Sequence, residues 1–243
     1  MMQEPELCPF VPTPLPHAEG PWLVLAPHPD DESFGMGGSL LKARAAGIAT
    51  HVLIMTDGAL GGAAPDIVAL RQRETRAAAD LLGLSGLHFL GQPDRALGLG
   101  EPVVAQLLAL VETLRPAALF FPGVWEMHPD HRRTALLAWQ VLQRLGSRAP
   151  VGIAYEITGQ SPANLLVDIS AEMPGKLAAL RAYGSQLQEN NYLDIVQALN
   201  KLRTLTLGPQ VDWAETYYRF SAAELHGSLS AWIQSRVAAM LAH

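Results

Sequence analysis

Short apolar runs alternate with amphipathic segments from Trp22 onward, and this alternation restricts the fold more than any other feature of the sequence. The apolar runs have the length of buried strands and lie at residues 22–25, 50–55, 87–90 and 117–121. Helix-length segments follow them at residues 37–46, 65–82, 102–114 and 132–145. A strand, a helix and a parallel strand in succession form the βαβ unit. The sequence therefore predicts an α/β fold, a Rossmann-like, open, mainly parallel sheet with helices on both faces, in a single domain.

The rest of the chain extends this pattern less regularly. Two more strands are predicted at residues 151–157 and 164–169. Helices are predicted at residues 173–188, 192–205 and 221–242, whereas residues 212–220 have no clear pattern. Residues 1–20 contain five prolines, which exclude a regular helix or a central strand, so they predict an extended arm ahead of a domain at 21–243.

Composition excludes several classes of protein. With 243 residues, 49% of them hydrophobic, the chain is long enough to bury one large core without disulfides. A net charge of −6 argues against a nucleic-acid-binding surface. The single cysteine, Cys8, forms no internal disulfide, and we expect a cytoplasmic protein without a signal peptide or a membrane span. The arm and the C-terminal helix are available for contacts in a homo-oligomer.

Two motifs rich in histidine and aspartate follow strands that are far apart in the sequence. Residues 26–32, Ala-Pro-His-Pro-Asp-Asp-Glu, follow the first strand, and residues 128–131, His-Pro-Asp-His, follow the fourth. Either motif alone is compatible with a simple turn, since proline fixes φ and aspartate caps helices. In parallel sheets, however, ligands bind beyond the carboxyl ends of the strands. Two such motifs at strand ends therefore predict one shared site.

The residue types in these motifs are those of a catalytic metal site. Zinc binds histidine nitrogen and carboxylate oxygen, and a catalytic zinc keeps one position open for water. His28 and Asp31, three residues apart on a tight turn, can face one point, and either His131 or His128 can supply the third ligand. The same set of ligands suits Fe2+. Asp30 and the remaining histidine are then candidates for the general base and the oxyanion donor.

The two motifs together resemble those of the PIG-L/LmbE-like zinc deacetylases, which remove N-acetyl groups, commonly from N-acetylglucosamine conjugates. Over residues 22–220 the chain is also similar to this family in several shorter segments: Thr56–Gly58, Arg71–Glu74, Lys176, Tyr183–Gln186 and Trp213–Glu215. The resemblance implies a Zn2+ site formed by His28, Asp31 and His131, with Asp30 as the general base. Its substrate would be a small amino-sugar conjugate.

The resemblance also implies roles for residues around the metal. His128 would stabilise the oxyanion, Asp130 would hold His128 in the useful tautomer, and Arg71 would reach substrate hydroxyls or a phosphate. Three further residues are candidates for substrate contact because they follow predicted strands or lie beside the second motif: Asp57, Asp94 and Trp125. For the two aspartates, turn formation is the alternative interpretation.

Other functions compete with deacetylation. An amidase that cleaves a larger acyl group from a thiol conjugate would use the same residues. The glycines at positions 35, 37 and 38 also permit a dinucleotide-binding oxidoreductase, although the spacing Gly-x-Gly-Gly is incomplete for that motif. A carbohydrate-binding module without turnover is a third alternative, against which the presence of both a base and an oxyanion donor argues.

Overall fold

The computed structural model of the chain describes residues 9–241. Cys8 and the first part of the predicted arm, residues 1–8, lie outside the described residues, as does the end of the predicted C-terminal helix, residues 242–243. The strands are β1 (Trp22–Ala26), β2 (Thr50–Thr56), β3 (Gly86–Gln92), β4 (Ala118–Pro122), β5 (Val151–Tyr155), β6 (Leu165–Asp168) and β7 (Ala214–Arg219). The helices are α1 (Asp31–Ala45), α2 (Ile67–Leu82), α3 (Glu101–Leu114), α4 (Pro129–Leu145), α5 (Met173–Leu180), α6 (Gly184–Glu189), α7 (Tyr192–Leu202), α8 (Ala222–His226) and α9 (Leu229–Leu241).

The strands form one seven-stranded sheet in the order β3-β2-β1-β4-β5-β7-β6. Strands β1 to β5 pair in parallel, and β7 runs antiparallel between β5 and β6. The predicted α/β fold with a mainly parallel sheet is therefore confirmed. Among the described residues, no helix is long and apolar enough to cross a membrane.

Both faces of the sheet are buried, as the alternating contacts of β1 illustrate. Trp22, Val24 and Ala26 belong to one hydrophobic core, and the intervening Leu23 and Leu25 belong to the other. Strands that are covered on both faces have continuous apolar sequences. This explains why the parallel strands could be predicted from apolar runs in the sequence.

Strand β7 lies where the sequence has no clear pattern. Its residues are buried except the last, but they include Glu215, whose carboxylate accepts a hydrogen bond from Lys176 Nζ at 2.7 Å. A buried ion pair in a strand hides the apolar signal, so the strand was not predictable from hydrophobicity.

Helix α1 begins earlier than predicted, at Asp31 rather than near residue 37, so Gly35 lies inside the helix together with Gly37 and Gly38. The predicted start was wrong because these glycines are required by close packing against neighbouring elements and do not mark a helix boundary. A Cβ atom on Gly35 would lie 2.4 Å from the Tyr155 ring, and one on Gly38 would lie 2.6 Å from Ile169. The helix therefore starts inside the first motif.

Two long predicted helices are each divided in two. The segment 173–188 breaks between α5 and α6, and the C-terminal segment breaks between α8 and α9 at Gly227. At the other end of the chain, Thr13 pairs with Val167 of β6, so the predicted arm contacts the edge strand of the sheet at this residue. The division of the chain into arm and domain stays a prediction.

Candidate active site

A cleft of about 540 Å³ opens at the carboxyl ends of the central strands. The parallel order β3-β2-β1-β4 brings the segments after these strands to one edge of the sheet. Both motifs contribute to the cleft lining, through His28, Asp30 and Asp31 from the first and His128 and His131 from the second. The two motifs therefore meet in one cleft at the strand ends.

Asp31 lies at the centre of the site, between two histidines. Its Oδ2 atom is 3.1 Å from His28 Nδ1 and 3.2 Å from His131 Nε2. The main-chain N–H of His28 donates to the same oxygen at 2.9 Å, which fixes the turn that carries both residues. The structure thus brings together the three residues that the resemblance assigns to the metal.

The electrostatics of this trio favour a cation. Although burial raises the pKa of Asp31, the two histidines more than offset that effect and lower it below its usual range. Burial alone would lower the pKa of His131, but Asp31 and Glu126 raise it to about 9. The pKa of His28 is also raised, because Asp130, Asp31 and Asp94 outweigh burial. Positive charge is therefore stabilised between these side chains.

The donor set fits zinc. Ring nitrogens of His28, His128 and His131 lie within 4.8 Å of one another, and a second group of that size contains His28, Asp94, His128 and Asp130. Imidazole nitrogen with carboxylate oxygen is the combination that zinc and Fe2+ accept. Asp31, shared by two of these histidines, adds the carboxylate of the predicted trio.

Asp30 has a different environment from its neighbour Asp31. Its backbone has φ 134° and ψ −29°, an unusual conformation for a residue other than glycine. Its Oδ2 accepts a hydrogen bond from Arg71 Nη2 at 3.0 Å. Burial raises the pKa of Asp30, and the guanidinium of Arg71 partly offsets the increase. A carboxyl group with a raised pKa, on the wall of a cleft, is suited to accept and release a proton.

Arg71 is buried and fastens the wall of the cleft to the first motif. Besides Asp30, its guanidinium donates to the carbonyl of Pro29 at 2.8 Å and to that of Gly58 at 3.1 Å. Gly61 also requires this approach, since a Cβ atom there would lie 2.1 Å from Arg71 Nη1. The arginine predicted to contact substrate is therefore also a structural link between helix α2, the motif and the loop after β2.

The two candidate aspartates after β2 and β3 are in different positions. Asp94 lines the cleft, with Oδ1 3.3 Å from His28 Nε2 and Oδ2 accepting the N–H of Leu60 at 3.0 Å. Burial raises the pKa of Asp94, but the opposing effect of His28 is larger, and the resulting pKa is about 2, below its usual value. Asp57 instead accepts the N–H groups of Ala59 and Asp94. Asp57 therefore supports a turn, and through it the position of Asp94.

The tautomer of His128 is set by the backbone of Asp130. The main-chain N–H of Asp130 donates to His128 Nδ1 at 3.2 Å, which leaves Nε2 to carry the proton of a neutral ring. Burial, followed by the nearby His28 and His131, lowers the pKa of His128 and keeps the ring neutral. The Asp130 carboxylate has other partners: it lies 3.4 Å from His28 Nε2 and accepts the N–H of Arg95 at 2.6 Å.

Glu126 is a member of the site that the sequence analysis missed. It is buried, and its carboxylate lies 3.4 Å from His131 Nδ1 while accepting hydrogen bonds from Ile157 and Thr158. A partner on the second ring nitrogen orients a metal-binding histidine. The available signal was an acidic residue just ahead of the second motif, after a buried strand.

Trp125 is not among the residues that line this cleft. It lines a separate small cavity with Phe121, Glu156 and other residues. The apolar walls of the cleft come from side chains that the sequence analysis did not select: Phe34, Leu60, Met127 and Tyr192. Two of them, Leu60 and Met127, are exposed at 57% and 75%.

Several known proteins are similar to this chain in sequence or in fold. The sequence profile of the PIG-L family, described as GlcNAc-PI de-N-acetylase, matches residues 23–142. Diacetylchitobiose deacetylase from Thermococcus kodakarensis is 30% identical over 192 residues, covering 69% of this chain and 70% of the relative. A probable N-acetyl-alpha-D-glucosaminyl L-malate deacetylase 2 from Bacillus anthracis is 27% identical over 182 residues, covering 68% and 80%.

A solved structure agrees with these sequence relatives. N,N'-diacetylchitobiose deacetylase from Pyrococcus horikoshii, complexed with an inhibitor, matches with a TM-score of 0.76 at 25% identity, covering 86% of each chain. The family match includes both motifs, which in this chain meet in one cleft. The chain therefore belongs to the PIG-L/LmbE family of deacetylases, as the resemblance of its two motifs predicts.

Proposed function

We propose that this protein is a zinc-dependent hydrolase that removes the acetyl group from an N-acetylated amino sugar of the N-acetylglucosamine type. The observation that carries the proposal is the pair of adjacent aspartates: Asp31 lies between His28 and His131, and Asp30 lies beside Arg71 in the same cleft. One carboxylate is thus placed to bind a cation and the other to exchange a proton.

His28, Asp31 and His131 would hold the metal, and His128 is left for another role because its Nδ1 accepts a backbone N–H. When bound, zinc supplies a Lewis acid that lowers the pKa of a water molecule and polarises the acetyl carbonyl. The ligand set also suits Fe2+. The paired Glu126 fixes the ring orientation of His131.

The remaining residues handle the proton and the developing charge. Arg71 occupies Asp30 Oδ2, so Oδ1 is the atom available to accept the proton of the attacking water. Nε2–H of His128 donates to the oxyanion that forms as the water oxygen bonds to the acetyl carbon. Cleavage of the C–N bond then releases acetic acid as the proton held by Asp30 passes to the nitrogen of the leaving amine, and the acid gives its remaining proton to solvent to become acetate.

The proposed substrate class follows from the relatives and from the cleft. The relatives act on acetylated chitobiose and on an N-acetylglucosaminyl malate. A cleft with the polar Asp94 and Gln186 beside the apolar Met127 and Tyr192 has the mixed lining that a sugar ring requires. Asp94 and Arg71 are the proposed polar contacts, and Asp57 supports the position of Asp94. The proposal for Trp125 as an apolar wall has no such support from the cleft lining.

Two alternative functions compete with this proposal, an amidase that acts on a thiol conjugate and a dinucleotide-binding oxidoreductase. Amide hydrolysis of a thiol conjugate would use the same proton transfer and differ only in what occupies the rest of the cleft. The oxidoreductase has less support. Tyr155, Lys176 and Ile169 pack directly against Gly35, Gly37 and Gly38, so these glycines leave no room for a phosphate group.

The test is a hydrolysis assay of zinc-loaded protein on a panel of N-acetylglucosamine conjugates and a thiol-conjugate amide, with equilibrium binding of NAD measured separately to test the oxidoreductase. We expect release of amine and acetate from at least one acetylated sugar. Asp30→Asn removes the proton acceptor and should lower kcat by about 100-fold or more while zinc content is unchanged. Asp212→Asn is the control, since Asp212 pairs with Lys201 on the surface, with 61% of its side chain exposed. Equal kcat for Asp30→Asn and wild type would exclude Asp30 as the base.

A further inference from the structure

Glu32 is the one carboxylate of the first motif that does not line the cleft. It is 1% exposed, and both of its oxygens face the protein. Oε1 accepts hydrogen bonds from the hydroxyls of Ser33, at 2.7 Å, and Tyr183. Oε2 is 3.3 Å from the main-chain N–H of Asp30, which donates to it. Glu32 therefore contacts the backbone of the proposed base and not the substrate.

The backbone of Asp30 requires such support. A residue other than glycine at φ 134° costs about 1–3 kcal/mol and persists only where its surroundings fix it. Here the carbonyl accepts the N–H groups of Ser33 and Phe34, and the side chain accepts Arg71. Glu32 is the partner of the remaining group, the N–H. Arg71 Nη2 holds the other end of that peptide through the Pro29 carbonyl, at 2.8 Å, so loss of Glu32 would leave the N–H end without its acceptor.

Tyr183 fixes Glu32 from the opposite side. Its ring is fully buried, and its carbonyl accepts the N–H groups of Gln186 and Leu187 at the start of α6. From that helix, Gln186 Nε2 donates to the carbonyl of Gly61 in the loop after β2, at 2.7 Å. The Glu32–Tyr183 hydrogen bond thus joins the turn that bears the base to the start of α6, whose Gln186 lines the cleft.

We propose that Glu32, held by Tyr183, is a positioning residue that maintains Asp30 in the orientation required for proton transfer. The inference rests on the proposed function, because it names a support for the base of that reaction. It differs from a purely structural role for Glu32 in one respect: loss of Glu32 alters turnover more than it alters substrate binding, zinc binding or stability.

The experiment compares Glu32→Gln and Tyr183→Phe with a matched control, Glu74→Gln. Glu74 also accepts a backbone N–H and a hydroxyl, both from Ser185 of α6, but it does not contact the first motif. Misplacement of a catalytic group by about 1 Å costs about 100-fold, so we expect kcat of Glu32→Gln to fall by that order. Tyr183→Phe loses one hydrogen bond to a charged group and should lose about tenfold.

Three further measurements accompany kcat. The KM and the zinc content per chain should match wild type in both variants, and Glu74→Gln should retain wild-type kcat. A crystal structure of Glu32→Gln should show Asp30 with a changed φ or without its contact to Arg71. If Glu32→Gln does not fold, the same measurements on Tyr183→Phe decide the inference.

Specific outcomes would overturn it. These are wild-type kcat in Glu32→Gln, a loss no larger than that of Glu74→Gln, or a loss confined to KM or zinc content. A wild-type protein that is inactive on every acetylated sugar would instead contradict the proposed function. In that case the crystal structure still tests Glu32, since an unchanged Asp30 would show that the carboxylate does not hold it.

Discussion

Asp30 and Asp31 are adjacent in sequence and opposite in electrostatic environment. Histidines on two sides lower the pKa of Asp31, whereas burial raises that of Asp30 despite Arg71. The backbone at Asp30 turns the two side chains toward different partners. Two titratable groups whose pKa values are separated in this way can take the separate roles of ligand and proton acceptor.

The residue types of the motifs led to the prediction that Asp31 is a ligand and Asp30 a proton acceptor. They did not reveal the contacts that give the two aspartates different environments. The sequence contains His28, Asp31 and the downstream histidines at readable spacings. It contains no signal for φ at Asp30 or for the hydrogen bond that the Asp30 N–H donates to Glu32. Both are accompanied by tertiary contacts, of Arg71 with Asp30 and of Tyr183 with Glu32, which no local pattern encodes.

Arg71→Lys tests the structural role of the buried guanidinium. A lysine keeps the charge but cannot donate to Asp30, Pro29 and Gly58 together, because it lacks the planar fork. We expect the free energy of unfolding to fall by about 1–3 kcal/mol, as for a buried polar group left without a partner. Urea denaturation measures it.

The control for that variant lies on the same helix. Arg73 pairs with Asp66 on the surface, at 3.4 Å, with 60% of its side chain exposed. Arg73→Lys should be within about 0.5 kcal/mol of wild type, the range of surface substitutions. If the two variants were equally stable, Arg71 would have no structural role beyond that of a surface arginine.

At the scale of elements, helix α1 shows how far hydrophobic pattern predicts boundaries. The strand before it is continuous in apolar residues and was predicted, whereas the start of the helix was placed too late. Glycines at 35, 37 and 38 indicate a turn by propensity, but close packing against β5, α5 and the segment after β6 selects them. Strand β7 was missed because its buried residues include Glu215, a charged side chain that interrupts the apolar pattern.

Gly35→Ala tests whether packing selects the glycine. In an open helix, alanine is more favourable than glycine by about 1 kcal/mol. Here the added Cβ would lie 2.4 Å from the Tyr155 ring and 2.5 Å from the carbonyl oxygen of Glu156, and that backbone atom cannot move aside easily. We expect a loss of about 1–3 kcal/mol in the free energy of unfolding.

Gly184→Ala is the comparison for Gly35→Ala. Gly184 is also helical, and a Cβ atom there would meet only Glu74 Oε1, at an ordinary distance of 3.6 Å. Its stability should equal or exceed that of wild type in the same denaturation assay. A stabilised Gly35→Ala would mean that the helix can shift away from β5.

At the scale of the whole molecule, the order of the strands assembles the site. The first motif follows β1, Asp94 follows β3, and the second motif follows β4, yet all meet at one edge. The rule that ligands bind at the carboxyl ends of parallel strands made this meeting predictable. The rule does not specify which side chains turn inward, so Glu126 was missed, and Trp125 lies at a different cavity.

This assembly predicts that zinc binding and folding are coupled. The proposed ligands come from the turn after β1 and from α4, so they converge only in the folded chain. An ion that binds the folded state alone stabilises it by about 2.7 kcal/mol at 100 times its Kd. Thermal unfolding with excess zinc, compared with unfolding in a chelator, should therefore show a higher Tm with the metal.

Asp31→Asn should lose most of this increase in Tm, because it removes the carboxylate that contacts both histidines. Asp57→Asn should keep the increase, since its carboxylate serves a turn. An equal increase in wild type and Asp31→Asn would place the ion elsewhere in the chain.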